Sequence, residues 1–265
     1  MVVDTDKNST LDVNTVKTEK LTPQEMLSTI GYVHSIYNGG MVDGPGIRSV
    51  VFLSGCGLRC KYCHNPDTWA LSSGKLWTVS NVLNEILKYE KYYRFSGGGV
   101  TVSGGEPLGQ AGFVVELFRA CRENGIHTAL DTSGFAKAED IRRVLEFTDL
   151  LLLDIKSIDT DTYKHVTGVP IDRTLACMDI AREMNVPVWV RFVLVPGLTD
   201  NLEEIQRLGE YVRRFENVQK IDVLPFHKSG EHKWEEVGVA YALHDTQPPS
   251  LELIETVKDI LKIVV

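Results

Sequence analysis

The sequence predicts an α/β protein, a partial (β/α)6 barrel in a single domain. Three observations predict it. Short apolar runs occur six times, at 48–53, 99–102, 127–131, 150–154, 188–193 and 221–224. They are Leu-rich or β-branched, as strands buried on both faces are. Helix-type stretches separate and follow them, at 79–92, 111–124, 138–147, 174–185, 202–215 and 251–263, and this alternation implies a parallel sheet with helices outside. Polar or glycine-containing segments stand at the end of every strand run, where barrel-like α/β folds collect their reacting groups. Six strand–helix units are too few for a closed barrel of eight, so an open one is expected; a doubly wound sheet is the alternative.

Residues 1–28 read as a polar, mobile N-terminal tail and 29–265 as the domain. The first residues, Asp-, Lys-, Asn-, Ser- and Thr-rich, have no apolar centre, too polar to bury a core and unlike a secretory signal. Hydrophobic content of 43% and charged content of 24% are those of an ordinary globular protein. No apolar run reaches membrane-spanning length. The balance of 28 basic against 36 acidic residues, net −8, argues against a nucleic-acid partner. A cytoplasmic location is expected, since free thiols persist there.

The first strand run leads into Gly55-Cys56-Gly57-Leu58-Arg59-Cys60-Lys61-Tyr62-Cys63-His64-Asn65, a Cys-x3-Cys-x2-Cys spacing. Three thiolates on one short loop can hold three corners of an iron–sulfur cube and leave the fourth iron open. Electron-carrying clusters take four cysteines, and structural zinc sites take four ligands, usually as two pairs. Zinc completed by His64 is a cramped alternative, because adjacent Cys63 and His64 would have to converge on one ion. Five cysteines in 265 residues are an odd and sparse count for a disulfide framework. Cys121 and Cys177, in helix-type stretches, read as inert core thiols.

The second run ends in Ser103-Gly104-Gly105-Glu106. Glycines let backbone approach a ligand, but no Gly-Lys-Ser/Thr follows and the spacing is not a dinucleotide fingerprint. Glu106 is then a carboxylate suited to an ammonium group, or a charge placed at a helix N-terminus. The third and fourth runs end in Asp131-Thr132-Ser133-Gly134 and Asp154-Ile155-Lys156. Carboxylates at neighbouring strand ends repel unless Lys156 or a bound cation relieves them; a structural ion pair is the other account. Two-residue alternation puts Lys156 on the side of Asp154. The fifth run leads into Val195-Pro196-Gly197. The sixth ends in Leu224-Pro225-Phe226-His227, where His227 suits a flat, adenine-like ring or a surface cap.

Cys-x3-Cys-x-aromatic-Cys with the later Ser-Gly-Gly-Glu resembles the radical S-adenosylmethionine (SAM) enzymes. Within them, Asp43-Gly44-Pro45-Gly46-Ile47-Arg48, Tyr62-Cys63-His64-Asn65, Leu130-Asp131-Thr132, Leu153-Asp154-Ile155-Lys156 and Leu224-Pro225-Phe226-His227 resemble the activating enzymes of glycyl radical enzymes. The resemblance runs from about Gly31 to the C-terminus. It implies an oxidoreductase of anaerobic metabolism with a 4Fe–4S cluster on Cys56, Cys60 and Cys63. Reductive cleavage of SAM there would give a 5′-deoxyadenosyl radical, which generates a glycyl radical on a partner lyase. Tyr62, Cys63 and His64 are implied beside the adenine, and Gly105 with its loop, Gly104 to Glu106, at the methionine amine. Asp154, Ile155 and Lys156 are implied on the ribose and carboxylate side, and His227 along the adenosine pocket. A monovalent cation at Asp131, Thr132 and Asp154, and Asp43 facing the protein substrate, are further implications. Pyruvate formate-lyase is the implied partner, because residues 65–80 lack the cysteines of the inserted segment that many activases of other lyases carry. Flavodoxin or ferredoxin is the implied reductant. An activase of another glycyl radical enzyme, or a non-catalytic iron–sulfur electron-transfer module, are the alternatives.

Overall fold

The computed structural model describes residues 22–262. In chain order the elements are α1 (Pro23–Ser28), β1 (Ile30–Gly40), β2 (Arg48–Leu53), β3 (Lys75–Thr78), α2 (Val79–Leu87), α3 (Glu90–Ser96) and β4 (Gly99–Gly104). There follow α4 (Ala111–Glu123), β5 (His127–Thr132), α5 (Ala138–Leu145), β6 (Leu150–Asp154), α6 (Thr160–Thr167) and α7 (Asp172–Glu183). The last are β7 (Val188–Leu194), α8 (Leu202–Val212), β8 (Val218–Pro225), α9 (Glu231–Glu236) and α10 (Leu251–Leu261). Most of the stretch expected as a tail lies outside the described residues, and its end forms α1.

The eight strands make one open sheet in the order β3-β1-β2-β4-β5-β6-β7-β8. The six strands from β2 to β8 are parallel and are the six predicted from apolar runs. Alternation decides which face each residue serves. On β7, Val188, Val190, Phe192 and Leu194 are buried in the large outer core, while Trp189, Arg191 and Val193 turn inward and stay half-buried. On β5, Leu130 belongs to that outer core, whereas Ala129 joins Leu150, Leu152 and Trp189 in a small inner cluster. Each fully buried Val or Leu contributes about 1.5–3 kcal/mol, so the outer face fixes strand register strongly. The helices pack as neighbours over it, α2 on α4, α4 on α5, α5 on α7, and α10 on α8. That sequential ring is a partial barrel and not a doubly wound sheet.

Two strands escaped prediction. β1 and β3 form an antiparallel edge, with Gly40 opposite Arg48 and Ile30 opposite Thr78. β1 is half-exposed and carries His34, Ser35, Asn38, Gly39 and Gly40, so it offers no apolar run. The helix expected over 79–92 is two helices. Tyr93 folds back across the break, its hydroxyl donating to Ile86 O (3.0 Å), and Gly97 ends α3 at φ +69°, a left-handed angle that favours glycine. α6 was also unforeseen; Asp159 caps it by accepting from Asp161 N and Thr162 N (3.1 Å each).

Candidate functional site

At the carboxyl ends of the parallel strands lies a cavity of about 470 Å³, in the size range of small-molecule sites. Every parallel strand contributes to it. Cys56, Cys60 and Cys63 come from the loop after β2, Ser103 to Gly105 from β4, and Asp131 to Ser133 from β5. Asp154 and Lys156 come from β6, Arg191 and Val193 from β7, and Leu224, Pro225 and His227 from β8. A wider depression of about 780 Å³ lies on the outer surface around α9. It holds none of the cysteines, and the chemistry sits in the smaller cavity.

The cysteine loop is held by backbone pairing on several sides. Gly55 N donates to Thr68 O (2.7 Å), Cys56 N to Trp69 O (3.1 Å), Arg59 N to Thr167 O (2.8 Å) and Lys61 N to Val166 O (3.0 Å). Trp234 Nε1 donates to Cys63 O (2.9 Å), so α9 braces the last cysteine. All three cysteines are free and half-buried. Burial pushes the Cys56 thiol up to about 11 and the Cys60 thiol up to about 12, and raises Cys63 in the same direction.

Gly104 and Gly105 serve this loop as well as the cavity. A Cβ on Gly104 (φ +112°) would lie 2.4 Å from Leu53 N and O, and one on Gly105 2.4 Å from Gly55 O. Gly105 N donates to Leu53 O and Glu106 N to Gly55 O (2.8 Å each). The bare backbone thus lies flat against the start of the cysteine loop. Glu106 follows the second of its two readings, a carboxylate at the N-terminus of a short helical turn, Pro107–Gln110. Its carboxylate is buried and accepts from Thr132 Oγ1, Ser133 N (3.0 Å), Ser133 Oγ (2.5 Å) and Leu108 N (3.1 Å). It does not line the cavity and has no free lone pair aimed at an ammonium; it fastens the β4 turn to the end of β5. Ile155 also faces away, fully buried in the outer core.

The two cations on the cavity wall, Lys156 and Arg191, are each paired with a carboxylate. Lys156 Nζ lies 2.6 Å from Asp154 Oδ2. Burial opposes the Lys156 charge, but Asp154, then Tyr62 and Cys60, outweigh it and hold the amine well above its usual range. Of the two carboxylates expected to be relieved by Lys156 or a cation, Lys156 takes Asp154; Asp131 is paired with Arg191, whose Nη1 lies 3.0 Å from Oδ1, and Ser103 Oγ donates to the other oxygen (2.6 Å). Asp43 is half-buried. Burial first, then the Asp131 carboxylate, raises its carboxyl group, against Arg191 and Arg48.

Arg48 is fully buried without a carboxylate partner. Its guanidinium donates to Thr101 Oγ1 (2.6 Å), Pro45 O (3.1 Å) and Val100 O, and Thr101 Oγ1 donates to Asp43 O (2.6 Å). The Asp43–Arg48 turn is therefore anchored through its own arginine. The rings of His64 and His227 lie 4.2 Å apart, tilted by 36°, and His64 Nε2 donates to His227 O (3.0 Å). Burial pushes His64 below the usual imidazole range. Tyr62 lines the same wall with a buried hydroxyl that has no partner.

Sequence reasoning missed Arg191, Thr101 and Trp234, and placed Ser103 at the mouth without its partner Asp131. Arg191 had a signal, the one charge within the apolar run 188–193. Trp234 had none, since its partner is a backbone carbonyl far away in sequence.

A family model described as the Radical SAM superfamily matches residues 50–209, which sets the class of protein. The chain is 46% identical over 238 residues to the pyruvate formate-lyase 1-activating enzyme of Escherichia coli (strain K12), covering 89% of this chain and 97% of that protein. It is 46% identical over 232 residues to the pyruvate formate-lyase-activating enzyme of Staphylococcus aureus (strain USA300), covering 85% and 92%. A crystal structure of a domain of pyruvate-formate lyase-activating enzyme from Bacteroides vulgatus ATCC 8482 superposes with TM-score 0.53 at 29% identity, over 62% of this chain and 93% of that one. A radical SAM methyltransferase from Sphaerobacter thermophilus shares the fold at TM-score 0.61 and 17% identity, over 87% of this chain and 74% of that one. The chain belongs to the radical SAM superfamily and, within it, to the family of the pyruvate formate-lyase activating enzymes.

That family implies a 4Fe–4S cluster and SAM, and the residues fit them. Three free thiols of one loop share one cavity wall. Among the described residues no helix is long and apolar enough to cross a membrane.

Proposed function

We propose that this chain activates pyruvate formate-lyase under anaerobic conditions by generating a glycyl radical on it. The observation that carries this reading is one loop bearing Cys56, Cys60 and Cys63 on the wall of a cavity into which all six parallel strands open. The relatives' printed names support the choice of partner. So does the compact path of residues 66–78, two short 3-10 turns and β3, which leaves no inserted cluster segment.

Cys56, Cys60 and Cys63 would hold three irons of a 4Fe–4S cluster. When bound, the cluster would supply the single electron for reductive cleavage of SAM, the source of the hydrogen-abstracting radical that glycyl radical formation on the lyase requires. The chain supplies position and charge. Lys156 stays cationic beside Asp154 for the carboxylate and ribose side. Tyr62, His64 and His227 offer flat faces to the adenine. Gly105 N is spent on Leu53 O, so its carbonyl is what it offers the methionine amine. Glu106 and Ile155 act indirectly, holding the loop and the strand end. Leu58, Val193, Leu224 and Pro225 on the cavity wall keep water from a reactive radical. Asp43, set by Thr101 and Arg48, faces the incoming glycine segment. A monovalent cation at Asp131, Thr132 and Asp154 would share those carboxylates with Arg191 and Lys156. Flavodoxin or ferredoxin would deliver the electron, in the cytoplasm.

The test is anaerobic reconstitution. About four irons per chain, 5′-deoxyadenosine on reduction with SAM, and a glycyl radical signal in electron paramagnetic resonance on added pyruvate formate-lyase are expected. Product no greater than that of Cys60→Ser sinks the chemistry. A radical only on a different glycyl radical enzyme reassigns the partner.

A further inference from the structure

We propose that the outer face of the cysteine loop docks an acidic one-electron carrier protein through a crown of cations that have no carboxylate partner, Arg59, Lys61, Lys164 and Arg173; this rests on the cluster assignment above. Arg59 and Lys61 alternate with the cysteines, and their amides pair with Thr167 O and Val166 O at the end of α6. That pairing brings Lys164 and His165 alongside, and Lys61 Nζ lies 2.8 Å from His165 Nε2. Arg173 stacks over Phe135 at 4.7 Å, and the Phe135 ring lies 3.7 Å from the Cβ position of Gly57. The basic groups thus ring the loop itself.

Their grouping around one loop sets them apart. Many surface cations sit against an acid, Lys88 with Glu85, Arg142 with Glu183, Arg182 with Asp179 and Arg207 with Asp159. Among the described residues, none of the four crown cations has a carboxylate at ion-pair distance. The exposed acids nearest in sequence, Asp161 and Asp172, stand in the first turns of α6 and α7, where helix dipoles favour them. A basic patch on a chain of net −8 repels copies of itself less than it attracts an acidic surface, and charge complementarity of this kind sets association rate and orientation.

The crown lies on the loop, not at the cavity lining, which the glycine of the lyase has to reach. An electron carrier has no such need. It loses one electron, the cluster gains one, and no bond or proton moves. Approach to the outside of the loop suffices.

The experiment compares wild type with Lys61→Glu/Lys164→Glu, leaving Arg59 intact because it donates to Cys56 O and Leu58 O. Binding of flavodoxin, an acidic flavoprotein, is measured by calorimetry at low and high salt. Reduction of the reconstituted cluster is followed optically with reduced flavodoxin and, in parallel, with photoreduced deazaflavin. The expected result is flavodoxin binding and reduction at least about tenfold weaker, with a flatter salt dependence, and an unchanged rate with deazaflavin. Unchanged flavodoxin binding overturns the proposal. So does equal slowing with both reductants, which marks loop damage, or weakened binding of pyruvate formate-lyase alone. If no cluster assembles in either protein, the functional reading fails, while the binding arm still decides the docking surface.

Discussion

Arg191 on β7 reaches past β6 to Asp131 on β5, with Nη1 3.0 Å from Oδ1. This pair stands on the cavity wall and bridges the interior across β6, and Asp43 sits within the field of both. Without Arg191, Asp131 and Asp43 would face each other as like charges. Breaking a largely buried pair by removing one partner costs about 3 kcal/mol. Arg191→Leu is therefore expected to lower stability by about that amount in urea unfolding, and Asp131→Asn/Arg191→Leu to recover most of it. Additive losses would show that the two residues do not act as a unit.

Lys156→Met leaves Asp154 as an uncompensated carboxylate on the cavity wall. Truncating one member of a buried charge pair costs about 2 kcal/mol or more, so SAM affinity of the reconstituted protein should fall more than about tenfold. Calorimetric titration checks this. Unchanged affinity would remove Lys156 from the binding wall.

Gly105→Ala puts a Cβ 2.4 Å from Gly55 O, whereas Gly112 on α4 has open space around its Cβ position. The first substitution should cost about 1–3 kcal/mol through overpacking of backbone on backbone. Gly112→Ala should stabilise the helix by about 0.5–1 kcal/mol. Thermal unfolding of the pair distinguishes close approach from generic glycine flexibility; similar effects would refute the role given to Gly105.

Burial holds the Cys60 thiol near 12 and the Cys56 thiol near 11, above an ordinary value near 9. Groups raised in the folded state stabilise fully below their unfolded pKa and lose that contribution as pH climbs through the folded one. The metal-free protein should therefore weaken as pH rises from about 9 toward about 12, and Cys60→Ser should weaken less over the same window. Urea midpoints against pH measure the difference. Because iron displaces thiol protons, iron uptake should strengthen as pH rises. Parallel stability curves for the two proteins would contradict the buried-thiol account.

Six strands and the cysteine loop were legible because each depends on a local signal: apolar runs for strands with two buried faces, fixed spacing for three thiols on one turn. His64 and His227 were legible as separate candidates, but their stacking, across a separation of 163 residues, was not. β1 stayed hidden because an edge strand with one half-exposed face needs no apolar run. Glu106 was legible as a helix-start carboxylate, but its bonds to Thr132 and Ser133 were not, because those residues come from the end of the neighbouring strand.

By itself, then, the chain's order of residues determined the repeating strand–helix pattern, the open barrel and the polar groups gathered at one mouth. Tertiary structure alone decided which of those groups face the cavity and which are consumed internally: Glu106 withdrawn into hydrogen bonds, Ile155 turned into the outer core, and Arg48 buried to anchor Asp43, while Asp131 stays on the wall with Arg191 as its partner. The physical reason is that strand identity follows from nearest-neighbour burial along the chain, whereas the availability of a charge depends on what packing brings against it from elsewhere.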